Sequence, residues 1–276
     1  MYKMGIRTTS QTLSHPKVQE LMRSNEKFDA VIVQIFNIDA LFGLGEHFGC
    51  PVIGVTSFGA VKWVDEITGN QSPYSYVPHP LLPYTDNMSF TERFLNAFNS
   101  IIDDYFYQTL HLPKQTKIYN EYFPKNKKTF IESLKSPSVV LLNSHVSSSS
   151  ARPSLPNMID IGGIHVDAAK ELPKDLKDFL DNAEDGVIYF SMGSLIQSKD
   201  WAIEKREALV KTFAKLKQKV LWKYENETLP GNPGNIMIGS WFPQRDILAH
   251  PNIKVFITHG GLLGTTSNHN VSWISR

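Results

Sequence analysis

The chain has 276 residues, 41% hydrophobic and 20% charged, which suits one large or two ordinary globular domains and excludes a disordered polymer. A formal net charge of +1 gives no bulk electrostatic case for a nucleic-acid partner. A single cysteine, Cys50, rules out intrachain disulfides and cysteine-rich metal sites; in its apolar setting (HFGCPVIG) it reads as a small buried hydrophobe.

The N-terminal segment MYKMGIRTTSQTLSHPKVQELM has no apolar core segment, so it is not expected to be a signal peptide. No stretch approaches the ~20 apolar residues of a membrane span. Asn-x-Ser/Thr sequons occur at Asn70, Asn87, Asn226 and Asn270, and polar chains acquire a few such by chance.

Along the chain, Ala30–Val33 is a β-branched run and predicts a buried strand. Ile38, Leu41, Phe42 and Phe48 recur near helical spacing, and Pro51–Val55 predicts a second strand. Strand, helix and strand make a βαβ unit, and so a parallel sheet. Asn70–Thr85 (NQSPYSYVPHPLLPYT) holds too much proline for regular structure and reads as a surface loop. Phe90–Leu110 and Lys125–Leu134 read as helices, and Val139–Asn143 as a strand.

Ser147–Pro156 is small, polar and then proline-limited, the clearest linker in the chain. A boundary there gives domains 1–152 and 153–276. Beyond it the alternation resumes: strand candidates at Met158–Gly163 and Gly186–Ser194, a helix over Ile203–Leu216, then strands at Val220–Trp222, Ile236–Ile238 and Lys254–Thr258. The fold class expected is α/β, with two open domains.

In open parallel sheets, ligands bind beyond the carboxyl ends of the strands. Two such ends carry chemistry. Phe190-Ser191-Met192-Gly193-Ser194 ends one strand, and Ile257-Thr258-His259-Gly260-Gly261 ends another. Glycines let successive backbone N–H groups approach an anion, and a helix beginning after Gly261 would aim its positive end at the same point. Trp241 offers a flat apolar face for a base, Gln244 can donate and accept at a ribose or base edge, and His259 adds a side-chain donor. No Gly-x-Gly-x-x-Gly follows a strand, which weakens a dehydrogenase reading.

Trp241-x-Pro-Gln-x-x-Ile-Leu-Ala-His-Pro followed by Phe-Ile-Thr-His-Gly-Gly resembles the signature of the UDP-glycosyltransferases. The surrounding text (LSHPKVQEL, FDAVIV, SYVPHPLLP, NSHVS, ARPSLPN, GGIHV, VIYFSMGS) is similar to the insect branch, including the ecdysteroid UDP-glucosyltransferase-like proteins, from Met1 to about Thr266. The resemblance implies a GT-B fold: two Rossmann-like domains facing across a cleft, acceptor-binding and UDP-sugar-binding, both incomplete here. It implies transfer of a hexose, glucose foremost, from UDP-sugar to a hydroxyl of a small lipophilic acceptor with inversion, a detoxification chemistry. The family works at the endoplasmic reticulum membrane. No metal and no cofactor are implied beyond the UDP-sugar donor substrate. By resemblance Trp241 stacks on uracil, the Phe242 backbone meets the base and Gln244 reaches the ribose. Ser194, His259, Gly261 and Gly264 lie against the diphosphate.

The chain also departs from the family. The histidine base that the family carries ahead of its first helix has no counterpart among these residues. The acidic residue that orients it falls at Gln34, and an amide cannot stabilise an imidazolium as a carboxylate does. Asp39, one helical turn on, is a weak substitute that reads more simply as a helix-dipole partner. Where the family places a ribose-binding glutamate stands Ser267, and residues 268–276 match nothing in it. That tail reads as retained intron or frame-shifted sequence, expected to be poorly ordered and too short to reach the next strand. The chain is therefore expected to be a fragment truncated at both ends, lacking the family's transmembrane helix and inactive in sugar transfer. The alternative is a truncated, non-catalytic nucleotide-binding or partner-binding protein.

Overall fold

The computed structural model describes residues 2–145, 149–226, 228–229, 231, 233–266 and the backbone of 272–274. The chain divides into two packing units, Met1–Gly162 and Gly163–Arg276.

In the first unit, α1 (Tyr2–Ser14) and α2 (Pro16–Arg23) precede β1 (Val31–Gln34), with Pro16 opening α2 where its missing N–H costs nothing. A 3₁₀ turn over Asp39–Phe42 leads into α3 (Gly43–Phe48) and β2 (Val52–Thr56). Then come α4 (Lys62–Thr68), α5 (Phe90–Phe106), a π turn over Tyr107–His111, α6 (Leu112–Tyr122), α7 (Phe130–Leu134), β3 (Val139–Leu142) and β4 (Met158–Asp160). The four strands form one parallel sheet in the order β1-β2-β3-β4. Its core gathers Val33, Val52, Val140 and Leu142 with Phe42, Trp63, Val64 and Tyr119 from the covering helices.

Three expectations shift here. The helix expected over Lys125–Leu134 begins only at Phe130, because Thr129 accepts from the Glu132 backbone while the Glu132 carboxylate accepts from Thr129 N–H, a reciprocal cap. The strand at Met158, expected in the second domain, pairs with β3 instead. The packing boundary therefore lies at Gly162/Gly163, beyond the linker that composition alone suggests at 152/153.

The second unit contains α8 (Lys174–Asp181), β5 (Val187–Ser191), α9 (Ile203–Phe213), β6 (Lys219–Lys223), β7 (Ile236–Gly239), α10 (Gln244–Leu248), β8 (Ile253–Thr258), α11 (Leu262–Thr266) and β9 (Ser272–Ile274). All neighbours are parallel, in the order β7-β6-β5-β8-β9. Alternation along β5 sends Val187 and Tyr189 to one face, with Leu176, Leu180, Ile247 and Leu248, and Phe190 to the other, with Val210, Phe213 and Trp222. Each such fully buried side chain contributes roughly 1.5–3 kcal/mol. Strand order reverses beside β5: the chain proceeds outward through β6 and β7, then returns to the other side of β5 as β8. That reversal opens a crevice at the carboxyl ends of β5 and β8.

The tail differs from expectation where it is described. Ser272–Ile274 pairs with β8, Val255 opposite Ser272 and Ile257 opposite Ile274. A strand edge bearing unpaired N–H and C=O groups accepts any extended segment that reaches it. Ser267 and residues 268–271, 275 and 276 lie outside the described residues.

Candidate functional site

At the β5/β8 crevice a cavity of about 430 Å³ is lined by Ser194, Trp241, Phe242, Gln244, His259, Gly261 and Gly264. These are the seven donor-site residues that the sequence nominates, brought together from three loops and two short helices. Ser194 follows β5, and Trp241 and Phe242 follow β7. Gln244 opens α10, and His259 and Gly261 connect β8 to α11, which begins at Leu262 as the sequence suggests.

Trp241 is 73% exposed, so its indole is a plate with an open face. Phe242 turns the other way, its ring over Gly239 and edge-on to Tyr189 at 6.4 Å between centroids. Tyr189 is buried in the sheet, and burial pushes its phenol up to about 12. Neutral at physiological pH, it donates to Gln244 Oε1 at 3.3 Å and leaves the amide nitrogen of Gln244 facing Gly264. His259 lies against Gly193 and Gly261, and its Nδ1 is 3.4 Å from Thr258 Oγ1. Gly193 and Gly260 take positive φ values of 79° and 72°, backbone that an L side chain resists.

Two lining residues escape a sequence reading. Lys223, the last residue of β6, is buried against Glu225 (2.9 Å) with its Nζ 6.0 Å from the Trp241 ring centre. Tyr189 sits mid-strand. A cation closing the apolar run Val-Leu-Trp was the available signal for Lys223; nothing in the local pattern singles out Tyr189.

The first unit holds a second cavity, about 490 Å³, with Lys62, Tyr74, His79, Ser100, Arg152 and Asp160 among its walls. Its basic side chains face carboxylates: Lys62 pairs with Asp104, Arg152 with Asp65, and the His79 ring lies 3.5 Å from Asp103. Neither acid-position candidate lines it. Gln34 is exposed at the end of β1, donating to Ser57 Oγ at 3.4 Å. Asp39 is buried and faces inward: His111 Nε2 lies 2.8 Å and Tyr107 OH 3.1 Å from its Oδ2. It therefore does more than offset a helix dipole, and its carboxylate is committed to the core. Among the described residues no cluster of three or more His, Cys, Asp or Glu forms a metal site.

The family model for UDP-glucoronosyl and UDP-glucosyl transferase matches residues 4–267. The chain belongs to the UDP-glycosyltransferase family. It is 40% identical over 260 residues to UDP-glycosyltransferase UGT4 of Dactylopius coccus, covering 91% of this chain and 51% of that one. To UDP-glucuronosyltransferase 2A1 of Mus musculus it is 33% identical over 248 residues, covering 87% and 45%. This UDP-glycosyltransferase chain thus spans about half the length of the curated relatives it matches. Solved structures give the fold. A UDP-glucosyltransferase from Polygonum tinctorium superimposes with TM-score 0.55 at 16% identity, covering 99% of this chain and 62% of that one. Phytolacca americana UGT2 does so with 0.56 at 15%, covering 98% and 61%. The architecture is GT-B, and no described helix is long and apolar enough to cross a membrane.

Proposed function

We propose that this chain carries the donor site of an inverting UDP-glycosyltransferase that moves a hexose, glucose foremost, from UDP-sugar to a hydroxyl of a small lipophilic acceptor. One observation carries the reading: Ser194, Trp241, Phe242, Gln244, His259, Gly261 and Gly264 converge on a single cavity at a strand-order reversal. Trp241 stacks on uracil, the Phe242 backbone meets the base edge and Gln244 binds ribose. Ser194, His259 and the glycine amides hold the diphosphate. The acceptor takes the cavity of the first unit, whose walls are mostly apolar.

In the reaction a base removes the acceptor hydroxyl proton, and the oxygen attacks the anomeric carbon in line. The bond to UDP breaks, and its electron pair leaves on the β-phosphate. Hydrogen-bond donors at the diphosphate stabilise that growing charge. Support comes from the Phytolacca protein, solved with UDP-2fluoro-glucose and pterostilbene, and from the Polygonum enzyme, described as glucosylating indoxyl. The setting we propose is the endoplasmic reticulum membrane, in line with the family.

Gln34 at the acid position favours a second reading, nucleotide binding without transfer. Purified chain incubated with UDP-glucose and a phenolic acceptor, alongside calorimetric UDP titration, separates the two. Binding with product supports the transferase. Binding without product supports the second reading. No UDP binding sinks both.

A further inference from the structure

Among the described residues lining the β5/β8 cavity, Lys223 is the only lysine, arginine, aspartate or glutamate. It ends β6, one residue beyond the Phe190/Trp222 pair, and is 8% exposed. Glu225 accepts from its Nζ at 2.9 Å and from the Lys199 N–H at 3.4 Å, yet Glu225 is not a wall of the cavity. The ammonium therefore stands at the wall with the carboxylate outside it. An ammonium has three N–H groups, and Glu225 takes one. Desolvating an ion pair is unfavourable unless further hydrogen bonds satisfy the remaining donors. An apolar residue, like the buried Val220-Leu221-Trp222 run before it, would close the strand without that penalty. An anion in the cavity supplies the missing acceptor.

Position along the crevice says which anion. The strands run in the order β7-β6-β5-β8, about 4.8 Å apart. Trp241 follows β7, Lys223 ends β6, Ser194 follows β5 and His259 follows β8. In the proposed function Trp241 is the plate for the base, and Ser194 and His259 cradle the diphosphate. Lys223 stands between the two, its Nζ 6.0 Å from the Trp241 ring centre. A base stacked on the indole brings its ribose, and the phosphate bonded to that ribose, toward the end of β6. The outer phosphate then falls a strand further on, toward β5 and β8.

We propose that Lys223 is a donor-binding residue that holds the phosphate attached directly to the ribose, and so makes the site select nucleotides over nucleosides. The assignment rests on the donor-site reading. Glu225 is a positioning residue, keeping Nζ at the wall.

The test is a saturation-transfer NMR titration of uridine, UMP and UDP on the full chain, a method suited to weak binding. Lys223→Met should weaken UMP and UDP alike, by about tenfold or more, and leave uridine unchanged. Lys223→Arg keeps the charge and should retain most of the affinity for both nucleotides. Lys223→Met/Glu225→Gln leaves no orphaned carboxylate, so it carries the test where the single variant loses stability, and it should show the same loss for UMP and UDP. A uridine loss equal to that of UMP would mean that Lys223 acts only through the Trp241 plate, and a loss confined to UDP that it serves the outer phosphate. Either result overturns the assignment, as does UDP binding indifferent to all three substitutions. A wild-type chain that binds none of the three ligands removes the donor-site reading, and the assignment with it.

Discussion

The imidazole of His259 is clasped by two glycines: a β-carbon on Gly193 would stand 2.6 Å from its Cε1, and one on Gly261 2.5 Å from its Nε2. No real β-carbon sits that close, so the ring position depends on both residues lacking one. Gly193→Ala and Gly261→Ala should each displace His259 and abolish measurable UDP binding by calorimetry. Gly193→Ala adds a positive-φ penalty of about 1–2 kcal/mol. Gly49 has φ 66° but open space around its Cα. Gly49→Ala should carry that backbone penalty alone and bind UDP like wild type. Equal UDP binding in all three variants would show that His259 does not shape the site.

Trp241 offers the opposite case, a residue that matters for binding and little for folding. Base–aromatic stacking is worth about 1–3 kcal/mol, so Trp241→Ala should raise the UDP dissociation constant by roughly tenfold to a hundredfold. At 73% exposure the indole buries little, and the urea midpoint should not move. With a single stacking plate as anchor, wild-type affinity is expected at about the millimolar level. A micromolar constant, or one untouched by the substitution, would mean the base sits elsewhere.

The buried Asp39–His111 pair should behave as one unit. His111→Leu leaves the Asp39 side chain in the core with Tyr107 as its remaining partner, and leaving a buried polar group short of a partner costs about 1–3 kcal/mol. Tyr107→Phe removes a single hydrogen bond and should cost about 1 kcal/mol. Asp39→Asn combined with His111→Leu should cost less than the two singles summed, because both singles break the same 2.8 Å contact. Strict additivity in urea titrations would argue that the pair is not coupled.

Sequence reading reached the two parallel sheets because strands such as Val31-Ile32-Val33 and Val139-Val140-Leu141-Leu142 are continuous apolar runs, though β1 lies at the sheet edge with Ile32 69% exposed and is not the buried strand the run predicts; it gathered residues of the β5/β8 cavity because Trp241, Gln244, His259 and Gly261 lie close in the chain. Elsewhere it stopped short for identifiable reasons. Met158–Asp160 carries no mark of which sheet it joins; pairing with β3 across the Ser147–Pro156 linker decides that. Phe90–Phe106 is legible as an amphipathic helix, but pattern alone assigns its phenylalanines to the core. What inverts it is the set of distant polar partners, Tyr2, Lys62, Tyr74 and His79, that claim its other face. Asp39 likewise looks like a helix-start carboxylate until His111, far along the chain, closes on it.

Two carboxylates of the first unit should respond to pH with opposite sign. Glu66 is raised above its usual 4.5, first by burial and then by the Asp104 and Asp39 charges, with Lys62 and Lys135 opposing. Folding therefore favours its protonated form. The stability it supplies is complete below pH 4.5 and is lost as pH rises through the elevated folded value. Glu66→Gln mimics the favoured neutral form, so at pH 7 the variant should melt above wild type, the gap closing as pH falls toward 4.5. Burial pushes Asp103 upward too, but hydrogen bonds from His79 and Tyr2 prevail and hold it below its usual 3.8. Its contribution is present above pH 3.8 and lost as pH falls through the depressed folded value. Asp103→Asn should then melt below wild type at pH 7, and its deficit should shrink only under strong acid, where wild type loses the same contribution. Melting curves of the three proteins between pH 3 and 8 read both signs at once. A Glu66→Gln variant less stable than wild type at pH 7 would place that carboxylate among favourable partners and overturn the argument from burial.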